Sequence, residues 1–344
     1  MRPKIKIISL GGTISMRSDG AGLNPALGAE ALTADLARRT PRAQLIRQDL
    51  GRAASANLDF PLVERLAGLI AEFAAEGGHG VIVTQGTDTL EETAFLTELL
   101  GTPSLPVAFT GAMRGASADS PDGPANLADA LTFVTSPSAG AEVVVVMNGQ
   151  VHAARHVQKT DTTALDAFSS RDHAPRGRLH EGRFIALRPA FPPLPSVAPA
   201  RGRASPRVWI ATIGLDMDET LFTLGEDAGI DGWVIAALGA GHVPEKLAPV
   251  LGRLASRAPV VLCSRTGGIL CERTYGYAGA EIDLLSRGLL GGGSLSPAKA
   301  RVALLALLRD GRGDVARRFV QLAVAVRDDT LSNAPYSPPE TASS

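Results

Sequence analysis

Lys4-Ile5-Lys6-Ile7-Ile8-Ser9-Leu10-Gly11-Gly12-Thr13-Ile14-Ser15 and Gly80-Val81-Ile82-Val83-Thr84-Gln85-Gly86-Thr87-Asp88-Thr89 are built alike. In each, a short apolar run gives way to a glycine turn and then a threonine. The runs 4–10 and 80–84 read as buried parallel strands. A hydroxyl just past the carboxyl end of such a strand faces the crevice where open α/β sheets bind their ligands. Two such hydroxyls, Thr13 and Thr87, with Asp88 beside the second, point to nucleophilic acyl-transfer chemistry.

Outward from these two strands the pattern alternates. A helix is expected near 29–39, a strand near 44–50, and a loop holding Ser55. A helix follows from Phe60-Pro61 to about 76. Beyond the strand ending at Thr84 come a helix over 90–100 and a strand over 106–110 that leads to Gly111-Ala112-Met113-Arg114. A helix near 125–134 and a Val-rich strand over 142–147 complete the series. Asn148-Gly149 is a hairpin signal carrying the chain into a strand over 151–159. Repeated βα units imply a doubly wound, mostly parallel sheet with helices on both faces.

Residues 188–207 are rich in proline and read as a linker, with the arginines of 171–207 on a solvated loop. Alternation then resumes: strand 208–213, helix 219–227, strand 233–238, helix 244–257, strand 260–264. Ser296-Pro297 opens a further helix, with a serine cap and proline in the first turn. The expected division is a catalytic N-terminal domain over 1–187, the linker, and a smaller α/β, flavodoxin-like domain over 208–344. The Ser/Pro/Thr-rich tail after 329 reads as a frayed end.

Composition narrows the class. The chain has 344 residues, 45% hydrophobic and 20% charged, which fits a packed globular protein of two domains. A formal net charge of -1 speaks against electrostatic binding of nucleic acid. No apolar run approaches the ~20 residues of a membrane-spanning helix. Met1-Arg2-Pro3 leads straight into a strand, without a signal-peptide core. Two cysteines, Cys263 and Cys271, give no disulfide framework, so a cytoplasmic setting is expected.

Taken singly, each polar residue has a plain role. Thr13 caps a helix after a tight Gly11-Gly12 turn, Asp88 and Glu91 have capping-box spacing, and Lys159 sits on a surface hairpin strand. Together, four successive strand ends present Thr13, Ser55, Thr87-Asp88 and Gly111-Ala112, as expected around one substrate. A threonine needs a base, and a lysine that has lost its proton can serve. Backbone N–H groups after Thr87 would stabilise an oxyanion. Asp88 offers a negative charge to a substrate ammonium, and Ser55 a donor to a carboxylate. His152 and His156 are four apart but lack the companions of a metal site, and Gly291-Gly292-Gly293 lacks the rest of a phosphate loop.

The segments Gly11-Gly12-Thr13-Ile14 and Gly86-Thr87-Asp88-Thr89 resemble the two signatures of bacterial-type L-asparaginases. Gly111-Ala112-Met113-Arg114, Asp122-Gly123-Pro124-Ala125-Asn126-Leu127 and Lys159-Thr160-Asp161-Thr162 extend the likeness over nearly the whole chain. The resemblance implies that Thr13 is the acylated nucleophile and that Thr87, Asp88 and Lys159 form a second triad. It implies a substrate held by Gly12, Ser55, Gly86, Thr87, Asp88 and the backbone at Ala112. It also implies a homotetramer of two intimate dimers, each site completed by a neighbour's second domain, with no metal or organic cofactor. Three positions depart from the pattern. The loop 14–30 lacks a tyrosine, Ala56 replaces a glutamine, and His242 stands where an asparagine approaches the substrate ammonium. The implied reaction is hydrolysis of L-asparagine to L-aspartate and ammonia. Glutamine hydrolysis and ammonia supply within an amidotransferase are rivals; the latter calls for an extra N-terminal domain. A non-catalytic amino-acid sensor is a third reading, and Lys159 beside both threonines argues against it.

Overall fold

The computed structural model describes residues 2–12, 14, 16–18, 23–25, 36, 43–101, 103–200 and 206–327. Its larger sheet grows from β1 (Lys4–Gly11). A short antiparallel pair, β2 (Met16–Ser18) and β3 (Leu23–Pro25), precedes β4 (Gln44–Ala53). Helix α1 (Phe60–Ala75) starts where Asp59 accepts a hydrogen bond from the Leu62 N–H at 3.0 Å and Pro61 fills the first turn. There follow β5 (Gly80–Thr84), α2 (Leu90–Leu100), β6 (Val107–Thr110), α3 (Gly123–Val134) and β7 (Val143–Met147). The strand order β4-β1-β5-β6-β7 is parallel throughout.

The inner strands β1, β5, β6 and β7 are largely buried on both faces, while the edge strand β4 has no fully buried residue; the alternation of the inner strands splits the core in two. Ile5, Ile7, Ile82, Val144 and Val146 pack against α3. Ile8, Leu10, Val81, Val83, Val143 and Val145 pack against α1 and α2. The chain runs from β1 outward to β4 and then back to the other side of β1 for β5. The order therefore reverses between β1 and β5, which is where a doubly wound sheet opens a crevice at its carboxyl edge.

The rest of this sheet is antiparallel: β8 (Gln150–Ala153), then β11 (Gly177–His180) and β12 (Arg183–Ala186). The hairpin at Asn148-Gly149 is present, with φ of 48° and 73°. The expected strand over 151–159 is broken. The N–H groups of His156 and Val157 both return to the Ala153 carbonyl, at 3.0 and 3.1 Å. That turn sends the chain into β9 (Gln158–Lys159), which pairs with β10 (Phe168–Ser169) outside the main sheet.

The solvated-loop reading of 171–207 also fails in part. Arg176 is buried, bonded to Glu142 Oε1 at 2.6 Å and to the carbonyls of Ser138 and Ala139. In the expected linker, Leu194 and Val197 are buried against both halves of the chain.

The smaller sheet is parallel and in simple chain order: β13 (Val208–Thr212), β14 (Gly232–Ala237), β15 (Val260–Ser264) and β16 (Leu290–Gly291). Helices α4 (Thr220–Ala228), α5 (Ala248–Ala255) and α6 (Glu281–Ser286) cover one face. A single-turn helix, Glu245–Leu247, precedes α5 in place of one continuous helix from 244. On the other face lie α7 (Pro297–Asp310), capped by Ser296 as expected, and α8 (Val315–Arg327). That layer also packs against Phe95, Leu96 and Leu99 of α2, so one apolar layer joins the two domains. The helix expected near 29–39 falls outside the described residues except for Leu36, which is helical and buried. The tail after 329 lies outside them too.

Candidate active site

The ends of β1 and β5 touch. A Cβ on Gly12 would lie 1.9 Å from the Gly86 nitrogen, and one on Gly86 would lie 2.7 Å from Ser55 Oγ. Gly12 also has φ of +91°, a conformation that side chains disfavour. Only two glycines allow the β1 and β5 turns to cross at this distance. Their crossing places Ser55, in the short turn after β4, against the loop that carries Thr87. The Thr89 hydroxyl fastens that arrangement by donating to the Ser55 carbonyl at 2.9 Å.

Lys159 reaches this loop from β9. Its Nζ lies 3.0 Å from Thr87 Oγ1 and 2.9 Å from Asp88 Oδ1. The lysine side chain is 18% exposed and the aspartate 70% exposed. The ammonium is thus sheltered beside a hydroxyl, while the carboxylate faces outward. Such a pair can pass a proton to and from the hydroxyl and attract a cationic group at the rim.

Gly111 and Ala112, after β6, complete the crevice. A Cβ on Gly111 would meet the Gln85 carbonyl at 2.7 Å and the Thr87 methyl at 3.3 Å. The loop is held by Asp122, which accepts from the N–H groups of Met113 and Arg114 at 2.9 and 2.8 Å. Asn126 donates to the Gly111 carbonyl at 3.1 Å and to Asp122 at 3.1 Å, and accepts from the Asn148 N–H at 3.0 Å. A carboxylate and an amide one helical turn apart thereby fix backbone that carries no side-chain chemistry of its own.

Comparisons with known proteins settle the lineage. Residues 4–190 match the family described as asparaginase, N-terminal, and residues 207–318 match the glutaminase/asparaginase C-terminal domain. The chain belongs to the asparaginase family. Among its relatives, a probable L-asparaginase from Deinococcus radiodurans is 37% identical over 93% of this chain and 98% of its own length. L-asparaginase 2 from Escherichia coli is 30% identical over 88% of each chain. The crystal structure of a probable cytoplasmic L-asparaginase from Campylobacter jejuni superposes with a TM-score of 0.82. It is 28% identical, covering 93% of this chain and 99% of that one.

Of the residues expected in an asparaginase site, Gly12, Ser55, Gly86, Thr87, Asp88, Ala112 and Lys159 gather at one crevice. Thr13 lies outside the described residues; its neighbour Ile14 packs beside Gly123, next to Ala112. His242 lies apart, in the second domain. Its Nδ1 is 2.9 Å from the Tyr277 hydroxyl and its Nε2 is 3.3 Å from Glu281 Oε2, while the rings of Tyr275 and Tyr277 stand edge-on to it. Burial would raise the Glu281 carboxyl, but N–H donors from Tyr275 and Thr274 outweigh it and hold that carboxyl below its ordinary range.

His152 and His156 serve separate contacts. His152 Nδ1 meets Ser170 Oγ at 2.8 Å, and His156 Nε2 meets the Val326 carbonyl at 2.8 Å while stacking on His173. Burial pushes the two imidazoles down to about 4 and about 2, which keeps them neutral.

Sequence reasoning missed Glu91 and Lys299. Glu91 has capping-box spacing from Asp88, but α2 is capped at Thr89 without a side-chain bond, and Glu91 Oε2 accepts from the Lys159 N–H. Lys299 falls on the stripe of α7 that carries Ala303 and Ala306, both buried, so its burial could have been read from helical spacing.

Proposed function

We propose that the protein hydrolyses L-asparagine to L-aspartate and ammonia through a threonyl acyl-enzyme. The observation that carries this reading is Lys159 Nζ held between Thr87 Oγ1 at 3.0 Å and Asp88 Oδ1 at 2.9 Å, at the reversal point of the sheet. Family membership and relatives named L-asparaginase support the substrate.

In this reading the substrate's α-carboxylate meets Ser55 and its ammonium meets Asp88. Its amide carbonyl sits at the mouth of the crevice, over the touching Gly12 and Gly86 turns. Thr13 Oγ1 forms a bond to the amide carbon. The oxyanion is met by backbone N–H groups of the 86–88 and 111–112 turns. The C–N bond breaks as the nitrogen takes the proton given up by the Thr13 hydroxyl, and ammonia leaves. Water, activated through Thr87 and Lys159, then cleaves the ester, releasing aspartate and restoring the hydroxyl. His242 belongs to a neighbouring subunit's site in a homotetramer. The two functional units divide at 187 and 208, and the protein works in the cytoplasm.

Ammonia release with L-asparagine, L-glutamine and their D-forms tests the reaction. L-asparagine should give the highest kcat/KM, and Thr13→Ala should lower kcat by about four orders of magnitude or more. No ammonia from L-asparagine, or Thr13→Ala turning over at the parent rate, would refute it.

A further inference from the structure

Lys299, on α7 of the second domain, is a lysine with 1% exposure. Its Nζ donates to the main-chain carbonyl of Val157 and lies 5.8 Å above the Phe95 ring. Two residues on, the main-chain N–H of Lys159 donates to Glu91 Oε2. Attraction to Lys299 is the strongest influence opposing the burial that raises the Glu91 carboxyl, and Glu91 is the carboxylate that most favours a charged Lys299. The segment 157–159 is therefore gripped at one end by the buried Lys299 of the second domain and at the other by the half-buried Glu91 of the first. A third grip comes from Gln158 Nε2, which donates to the Gly267 carbonyl at 3.1 Å. Glu92 and Glu98 of α2 and the neutral imidazoles of His152 and His156 are the other titratable groups around Lys299.

Burying an ammonium against the Val157 carbonyl costs stability. Here it fixes the short strand that aims Lys159 at Thr87. β9 has two residues and, among the described residues, pairs with β10 alone, so its own ladder holds it weakly. We propose that Lys299 and Glu91 are a positioning pair through which the second domain of the same subunit sets the aim of Lys159. Neither touches the reacting atoms. The inference rests on the role proposed for Lys159, and it adds that each subunit's second domain serves its own site.

The test uses Lys299→Met, Glu91→Gln and the double variant, each measured for kcat, KM and Tm beside Lys159→Met. Methionine keeps the length of Lys299, and glutamine keeps an acceptor for the Lys159 N–H. Lys299→Met takes away the cation that most favours a charged Glu91 and loosens Val157. Its kcat should fall about 30-fold or more while KM moves less than about threefold, as misplaced catalytic groups act. The double variant has no Glu91 carboxylate deprived of its cation and should recover part of that loss, remaining about fivefold or more below the parent. If Lys299→Met does not fold, the double variant decides by the same fivefold criterion. A lowered Tm with kcat within about twofold of the parent in the folded variants would make the pair purely structural and overturn the proposal. Full activity in Lys159→Met would instead overturn the underlying role of Lys159, a separate outcome.

Discussion

Gly12→Ala tests the close crossing on which the site depends. The new methyl carbon would lie 1.9 Å from the Gly86 nitrogen and 2.4 Å from the Gln85 carbonyl carbon and Gly86 Cα. These are backbone atoms, so no rotamer change relieves the overlap. Ordinary contact begins near 3.4 Å, so the two turns must separate by about 1.5 Å. The φ of +91° adds a further ~1–3 kcal/mol for any residue with a Cβ. Together with overpacking of ~1–3 kcal/mol, urea unfolding should report a loss of about 2–6 kcal/mol. Displacement of the Thr87 loop by more than 1 Å should cost about 10²-fold or more in kcat for ammonia release. Gly68→Ala is the control. Gly68 is exposed within α1 and has nothing within 4 Å of a new Cβ, so alanine should stabilise by ~1 kcal/mol and leave kcat unchanged. A Gly12→Ala protein with parental kcat and stability would refute the crossing as a constraint on the site.

Thr87→Val and Lys159→Met should not be additive, because one hydrogen bond joins them; kcat losses that multiply in the double variant would show that they act apart. Asp122→Ala frees two backbone N–H groups of the 113–114 loop and should lower stability by about 2 kcal/mol in urea unfolding, with a loss of kcat; unchanged values for both would remove Asp122 as the brace. Burial pushes the Lys299 ammonium down to about 8, so its charged form is penalised only in the folded state. That penalty is present in full below pH 8 and vanishes as the unfolded lysine also loses its proton near 10.5. Relative to Lys299→Met, the parent should therefore gain up to about 3 kcal/mol of unfolding free energy between those pH values; a flat difference would contradict the buried charge.

The strand ends were legible because a buried parallel strand writes a short apolar run, and its turn writes glycine. Residues 4–12, 80–88 and 107–112 all carry that mark, and the crevice follows from it. Beyond the Asn148-Gly149 hairpin, the antiparallel edge was not legible. Gly177–His180 and Arg183–Ala186 are short and carry Arg178, His180 and Arg183, so their pattern resembles a polar loop. Arg176 read as solvated because its partner Glu142 lies 34 positions away. The break between β8 and β9 depends on two N–H groups sharing the Ala153 carbonyl, which residue types do not record. Glu91 was hidden by a plausible local role. Its acceptor bond to Lys159 spans 68 positions and exists only once β9 has turned out of the main sheet.

Ammonia release from L-asparagine by the parent and by Lys159→Met, each across a full range of substrate, bears most directly on the site. Lys159 Nζ bonds both Thr87 Oγ1 and Asp88 Oδ1, so its removal should act on the chemical step. The expected result is a kcat lower by about 10³-fold or more with KM changed less than about threefold. A Lys159→Met protein that releases ammonia within about tenfold of the parent kcat would contradict its role as the base.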